Sequence, residues 1–166
     1  MGYKQIIIAR KDLDMSPGKL AAQVSHGSMA FLTSLIRNQN YVIPLTKGML
    51  ARWEEKPQED WKEIVGYDFE YVFDKELYEQ WMKGAFTKCV LEAKNKNQLL
   101  KAKTMAEELG MVEGIDFFLI KDNCLTELEP EEIGEDGIPR CLTCIGFRPF
   151  DSEIIDQIGK KYQLYR

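Results

Sequence analysis

The segment from Gln5 to Phe31, QIIIARKDLDMSPGKLAAQVSHGSMAF, constrains the fold more than any other. Its first part, QIIIARKDL, is a β-rich apolar run of the kind shown by a strand buried in a sheet. A helix start follows. Ser16 is a good N-cap, and Pro17 falls at the first helical position, where its missing N–H costs nothing. Leu20, Val24, Phe31 and Leu35 recur at helical spacing, which predicts a helix from Pro17 to about Ile36.

The same alternation continues along the chain. KCVLEA and DFFLIKD read as a second and a third strand, separated by NKNQLLKAKTMAEELG, a helical stretch with a stop at Gly110. CLTCIGF reads as a fourth strand, and DSEIIDQIGKK as a closing helix capped by Asp151 or Ser152. The order β-α-β-α-β-β-α predicts an α/β fold: a small mixed, mainly parallel four-stranded sheet covered by helices. Helical crossovers favour parallel pairing among the first three strands. The connection from Cys124 to Arg140 carries no helix signal, so the fourth strand is free to run antiparallel. One domain over residues 1–166 is expected, with an insertion at about 40–78. In that stretch WKEI suggests a short helix near 58–65, and Tyr67, Phe69, Tyr71 and Phe73 alternate as on a strand. The insertion reads as packed surface or as a lid beside a site.

Composition limits the function classes. Of the 166 residues 45 % are hydrophobic, with eight Phe, seven Tyr and three Trp, enough for a sizeable core without disulfide staples. No apolar run approaches the roughly 18 residues needed to cross a membrane. The start reads as neither a signal peptide nor a myristoylation site, so a soluble intracellular protein is expected. The net charge of −5 means that any RNA contact must come from a local basic patch. Basic residues do gather near the amino terminus, at Lys4, Arg10, Lys11, Lys19 and Arg37, while acid gathers at 54–74 and 127–136. Cys141 and Cys144 form a C-x-x-C. On a regular strand residues three apart face opposite sides, and no second such pair exists, which argues against a metal or redox centre.

The polar residues of the first helix carry the chemistry. Lys19, Gln23 and His26 stand at i, i+4 and i+7, on one narrow stripe. The stripe flanks the buried face, which fits an ordinary amphipathic helix as well as a site. Lys19 lies in the first turn, where free N–H groups and the helix dipole favour an anion such as a phosphate or a developing oxyanion. Asp122 ends the third strand. If that strand parallels the first, Asp122 shares a sheet end with the start of the Lys19 helix, where ligands of open α/β sheets collect. Thr126 follows four residues later with its hydroxyl. An Asx turn is the plainer reading of Asp122.

At this point the chain resembles the type II, archaeal–eukaryotic peptidyl-tRNA hydrolases. KQIIIARKDLDMSPGKLAAQVSHGSM is similar to that family's opening, where a strand ending in R-x-D-L leads into G-K-x-A-A-Q-x-x-H. EQWMKGAFTKCVLEA is similar to its Trp, Gly and K-V-V-x-x-A strand, KDNCLTELEP to its D-A-G-x-T-x-x-x-P loop, and CIGF with DSEIIDQIGKKYQLY to its last strand and closing helix. The match covers most of the chain in order, and the first motif is the specific one. Several features depart from the pattern: the stretch from His26 to Trp81 and the loop before Cys141 are longer than in compact members. Asn123-Cys124 replaces Ala-Gly, Cys141 replaces a threonine, and T-C-I-x-x-R-P-F is similar to a divergent branch, the peptidyl-tRNA hydrolase domain-containing proteins.

The resemblance implies a metal-free, cofactor-free hydrolase of peptidyl-tRNA, a homodimer acting in the cytoplasm or an organelle. It places function on Lys19, Gln23, His26, Lys88, Asp122 and Thr126. The reaction, cleavage of the ester between peptide and the 3′ ribose of tRNA, needs an activated water, a stabilised oxyanion and an anchored polyanion. Asp122 or His26 is expected to position water and move the proton, Lys19 to stabilise charge, and Thr126 and Gln23 to orient groups. Lys88 is expected to face RNA or hold Asp122, with Arg10 and Lys11 contributing to one basic face. Lys19 and His26 lie about 10 Å apart along the helix, so both do not touch one carbonyl. Two rivals stay open: a non-catalytic RNA-binding or adaptor protein on the same fold, and a thiol hydrolase using Cys124 with His26.

Overall fold

The computed structural model describes residues 2–38, 43–46, 64–68 and 72–166. In chain order the elements are β1 (Tyr3–Arg10), α1 (Pro17–Asn38), β2 (Ile43–Thr46), β3 (Ile64–Asp68), a π-wound helix α2 (Leu77–Ala85), β4 (Lys88–Ala93), α3 (Lys96–Glu108), β5 (Phe117–Asp122), β6 (Glu132–Ile133), β7 (Pro139–Phe147), β8 (Phe150–Asp151), α4 (Ser152–Gly159) and β9 (Gln163–Leu164). Contacts divide the chain into a main unit, Met1–Ser34 with Asp74–Arg166, and a smaller unit, Leu35–Phe73. In the smaller unit β2 and β3 form an antiparallel pair. The alternation expected at 67–73 is described only in part, and the short helix expected near 58–65 falls mostly outside the described residues.

The main unit is built on a mixed sheet in the order β5-β7-β1-β4-β9, with β6 beside β7 and β8 beside β1. β1 and β4 pair in parallel, from Gln5 against Lys88 to Arg10 against Ala93. β7 runs antiparallel to both β1 and β5. Three of the four long strands therefore point the same way, but β5 does not pair directly with β1; β7 is inserted between them. The loop before β7 has no crossover helix, so the chain returns from the end of β5 and runs back alongside it.

The consecutive apolar residues of β1 serve two faces. Ile6 and Ile8 point into the larger core, with Leu99, Ala102 and Ala106 of α3, Ile155 and Ile158 of α4, and Ile145 and Phe147 of β7. Ile7 and Ala9 point to the opposite face, against Leu20 and Val24 of α1. The result is a helix–sheet–helix sandwich, in which each buried Ile contributes on the order of 2 kcal/mol. Helix α1 lies unusually close to the sheet. A Cβ on Gly146 of β7 would fall 2.1 Å from the carbonyl oxygen of Gly27, so only glycine allows this approach. The α3 start is capped by Asn95, whose side chain accepts from the Gln98 N–H, and Gly110 (φ 78°) follows its end as expected. Asp151 caps α4.

Candidate active site

The carboxyl ends of β1 and β5 lie at the same end of the sheet, and the start of α1 is held there. Ser16 accepts from the Lys19 N–H (3.2 Å), as a capping residue does. Glu127, from the loop after β5, clamps the same residue by accepting from the Ser16 hydroxyl (2.7 Å) and backbone N–H (3.2 Å). A carboxylate at a helix start is favoured by the dipole. This clamp fixes the distance between α1 and the β5 loop.

Across that junction Lys19 reaches Asp122. Its Nζ lies 2.8 Å from Asp122 Oδ2 and 2.9 Å from Thr126 Oγ1, and the Lys19 and Asp122 side chains are only 13 % and 12 % exposed. A cation in the first turn of a helix opposes the dipole; Asp122 supplies the compensating charge. Gln23, one turn on and buried, donates through Nε2 to the same Oδ2 at 2.8 Å. The other oxygen, Oδ1, accepts the Cys124 N–H at 2.9 Å. That bond is the Asx turn anticipated at Asp122, and it coexists with the site. Cys124 adopts φ 54°, a conformation that favours glycine. The loop thus keeps a glycine-like bend although Cys occupies the position.

The other expected residues fall elsewhere. His26 is exposed two turns further along α1 and makes no hydrogen bond or ion pair among the described residues. Arg10 is buried, where the sequence reading expects it on a basic face. It is 4 % exposed, with its guanidinium committed to Asp12 (2.8 and 3.1 Å), Glu131 (2.6 Å) and the Leu142 carbonyl (2.9 Å). It joins the β1 end to the loop before β7 and has no free edge for a phosphate. Lys88 does not hold Asp122. It starts β4, level with Gln5, while the site lies beyond Arg10 at the opposite end, about 16 Å away at ~3.3 Å per residue. Its Nζ donates to Ser28 Oγ (2.8 Å) and sits 4.3 Å over the Phe86 ring, and burial lowers its pKa. A single basic face joining Lys88 to the amino-terminal cations therefore does not form. Lys11 is half exposed, over the Tyr165 ring at 4.4 Å.

The cysteines also depart from expectation. β7 carries one extra residue between the pairs Ile120–Cys144 and Lys121–Leu142, a bulge at Thr143. Alternation is interrupted there, so Cys141 and Cys144 both face α1, and Leu20 packs against the clusters that contain them. Burial pushes their thiols up to about 11 and about 12. The Cys124 thiol is also raised, by partial burial and then by the Asp122 charge, which is the wrong direction for a nucleophile. Among the described residues no cluster of His, Cys, Asp or Glu is placed to hold a metal ion.

Two residues at the site escape a reading of the sequence. Glu127 clamps the helix start, and Thr143, fully buried, donates to Gln23 Oε1 at 2.7 Å. A regular strand would point Thr143 toward α3 and α4, with Ile145 and Phe147; no signal in the chain announces the bulge that turns it.

A helix–sheet–helix fold with a lysine–aspartate pair at the carboxyl ends of its strands defines an α/β protein whose site suits a polar or anionic ligand. Comparison with known proteins gives the family. The model of the family described as Peptidyl-tRNA hydrolase PTH2 matches residues 3–165, and the chain belongs to that family. It is 30 % identical over 164 residues to a peptidyl-tRNA hydrolase of Methanopyrus kandleri, covering 99 % of both chains. It is 27 % identical over 164 residues to that of Thermoplasma acidophilum, with the same coverage. It is 30 % identical over 156 residues to that of Thermococcus onnurineus, covering 94 % of this chain and 92 % of the relative.

Proposed function

We propose that this protein hydrolyses the ester joining a peptide to the 3′ ribose of tRNA and releases free tRNA. The observation that carries the reading is the Lys19–Asp122–Thr126 contact at the start of α1. A carboxylate has about four acceptor sites. Oδ2 uses both of its own on Lys19 and Gln23, and Oδ1 uses one on Cys124 N–H. The remaining Oδ1 site holds the attacking water and receives its proton. Lys19 has a third N–H beyond those given to Asp122 and Thr126, and with the helix terminus it stabilises the tetrahedral oxyanion. Thr126 accepts from Lys19, which leaves its own proton to donate to substrate. The 3′ oxygen leaves as the bond to the acyl carbon breaks and takes up the proton. The Lys19 ammonium sits on the carboxylate where a metal ion would otherwise bind, which supports metal-independent chemistry. His26, about 10 Å along the helix from Lys19, serves substrate binding.

RNA needs exposed cations at this end of the sheet. Lys11 and Lys94 meet that need: the Lys11 N–H bonds to the Ala93 carbonyl at 2.7 Å, so the two residues are neighbours across β1 and β4. The family resemblance supports a cytoplasmic homodimer, and the separate unit at 35–73 supports reading 40–78 as an insertion in one domain over 1–166.

The adaptor reading drew on the departures at Asn123-Cys124 and Cys141; the first preserves the Asx turn and the bend, which weighs against it. The thiol reading conflicts with the raised Cys124 thiol and with the absence of contact to His26. Purified protein with peptidyl-tRNA, with and without a chelator and a thiol-alkylating reagent, separates the three. Turnover unaffected by either addition is expected; no turnover supports the adaptor, and loss on alkylation supports the thiol.

A further inference from the structure

A buried polar contact lies behind the site, between Gln23 and Thr143. Gln23 is 3 % exposed and Thr143 fully buried. The Asp122 charge decides which end of the Gln23 amide faces it: Nε2 lies 2.8 Å from Oδ2, and the flipped amide would set two acceptors against each other. That choice turns Oε1 inward, away from water, where it requires a donor. The donor is the Thr143 hydroxyl at 2.7 Å, itself 3.0 Å from the Ile120 carbonyl. Thr143 can reach α1 only because of the bulge in β7. Bulges beside active sites commonly re-aim a side chain in this way.

We propose that Thr143 is a positioning residue for hydrolysis, acting through Gln23 to set the plane of the Asp122 carboxylate. It touches no substrate. With Gln23 and Lys19 both on Oδ2, the carboxylate cannot rotate, and the free acceptor site on Oδ1 keeps one direction. Without the Thr143 hydroxyl, Oε1 is buried and unpaired, Gln23 turns to find another partner, and Asp122 swings toward Lys19. The water held on Oδ1 is then misplaced. This inference rests on the functional reading above, and its test has a readout that does not require activity.

The experiment compares Thr143→Val, Thr143→Ala and Thr143→Ser, alone and on Gln23→Ala. In single turnover, Thr143→Val is expected to lose about 10-fold in rate, the scale of a modest misplacement of reacting groups, with KM within about 2-fold. Thr143→Ser is expected to restore the rate. On Gln23→Ala, removing the hydroxyl is expected to change nothing further, because the two act as one unit. In parallel, the Gln23 side-chain NH₂ protons are followed by ¹⁵N-edited NMR. Slow exchange is expected in wild type and Thr143→Ser, and fast exchange in Thr143→Val. If Thr143→Val does not fold, Thr143→Ala carries both measurements. A folded variant without the hydroxyl that keeps wild-type rate, keeps Gln23 protection, or costs the same on Gln23→Ala overturns the proposal. Inactive wild-type protein would instead overturn the hydrolase reading, while the NMR comparison still decides whether Thr143 holds Gln23.

Discussion

The two ends of the sheet carry similar residues in opposite roles. At the carboxyl end of β5, Lys19 meets a carboxylate and a hydroxyl, and an amide shares the carboxylate. At the amino end of β4, Lys88 meets a hydroxyl and aromatic rings. Its hydroxyl partner Ser28 is bonded to Gln5 Oε1 at 3.2 Å, and Gln5 Nε2 is taken by the carbonyls of Ser28 and Phe147. That cluster joins α1 to the sheet, and among the described residues no carboxylate pairs with Lys88. A buried glutamine serves each end: Gln23 serves the site and Gln5 the fold. On the proposed reading, position at the strand ends, rather than residue type, separates chemistry from scaffolding.

The largest effect expected from this contrast is on turnover. Lys19→Ala should lower kcat by about 10²-fold or more, the usual scale for removing an oxyanion-stabilising group, with circular dichroism unchanged. Wild-type turnover in that variant would remove the site from the start of α1. Next in size is RNA affinity. Lys11→Glu with Lys94→Glu should weaken tRNA binding about 10-fold and flatten its log–log salt slope by roughly 0.7–0.9 per lost phosphate contact. Lys88→Glu should leave that slope unchanged. A salt titration in which Lys88→Glu, rather than the pair, flattens the slope would move the RNA to the other end of the sheet.

Much of this contrast is legible in the amino-acid order. Ser16-Pro17 marks the start of α1, the capped stretch from Asn95 to Gly110 marks α3, and a strand-terminal Asp122 follows from the run DFFLIKD. Those are local signals. Asp122 can meet Lys19 because β1 and β5 point the same way, and they do so even with β7 between them. What stays hidden is long-range. The bulge at Thr143 exists only against Ile120 and Lys121, so alternation misplaces both Thr143 and the relation of Cys141 to Cys144. Arg10 reads as one of a group of cations near the amino terminus, but Glu131, which completes its burial, is 121 residues away. Lys88 draws its expected role from family resemblance, and its level on β4 is visible only through the register with Gln5.

A smaller effect tests the scaffolding side. Lys88→Ala should cost about 1 kcal/mol, read as a lower Tm, through the lost hydrogen bond to Ser28 and the ring contact. An unchanged Tm would show that Lys88 does not hold α1. The smallest effect concerns the thiols. With their pKa values at about 11 and about 12, Cys141 and Cys144 should resist alkylation at pH 8 in the folded protein. Peptide mapping by mass spectrometry should find label on the partly exposed Cys89 and Cys124 first. Early labelling of Cys141 would contradict its burial against Met15 and Leu128.

The measurement that bears most directly on the central claim is single-turnover hydrolysis of peptidyl-tRNA by wild type, Asp122→Asn and Lys88→Met under one set of conditions. The Asn variant keeps the shape of the carboxylate and removes its charge, and the Met variant keeps the length of the lysine and removes its amine. If the site lies at the carboxyl ends of the strands, Asp122→Asn loses about 10²-fold, the scale of a lost proton-transfer group. Lys88→Met then stays within about 3-fold of wild type, since it touches no reacting atom. The reverse order, a silent Asp122→Asn and a disabled but folded Lys88→Met, would contradict the account and place the chemistry beside Ser28 and Phe86.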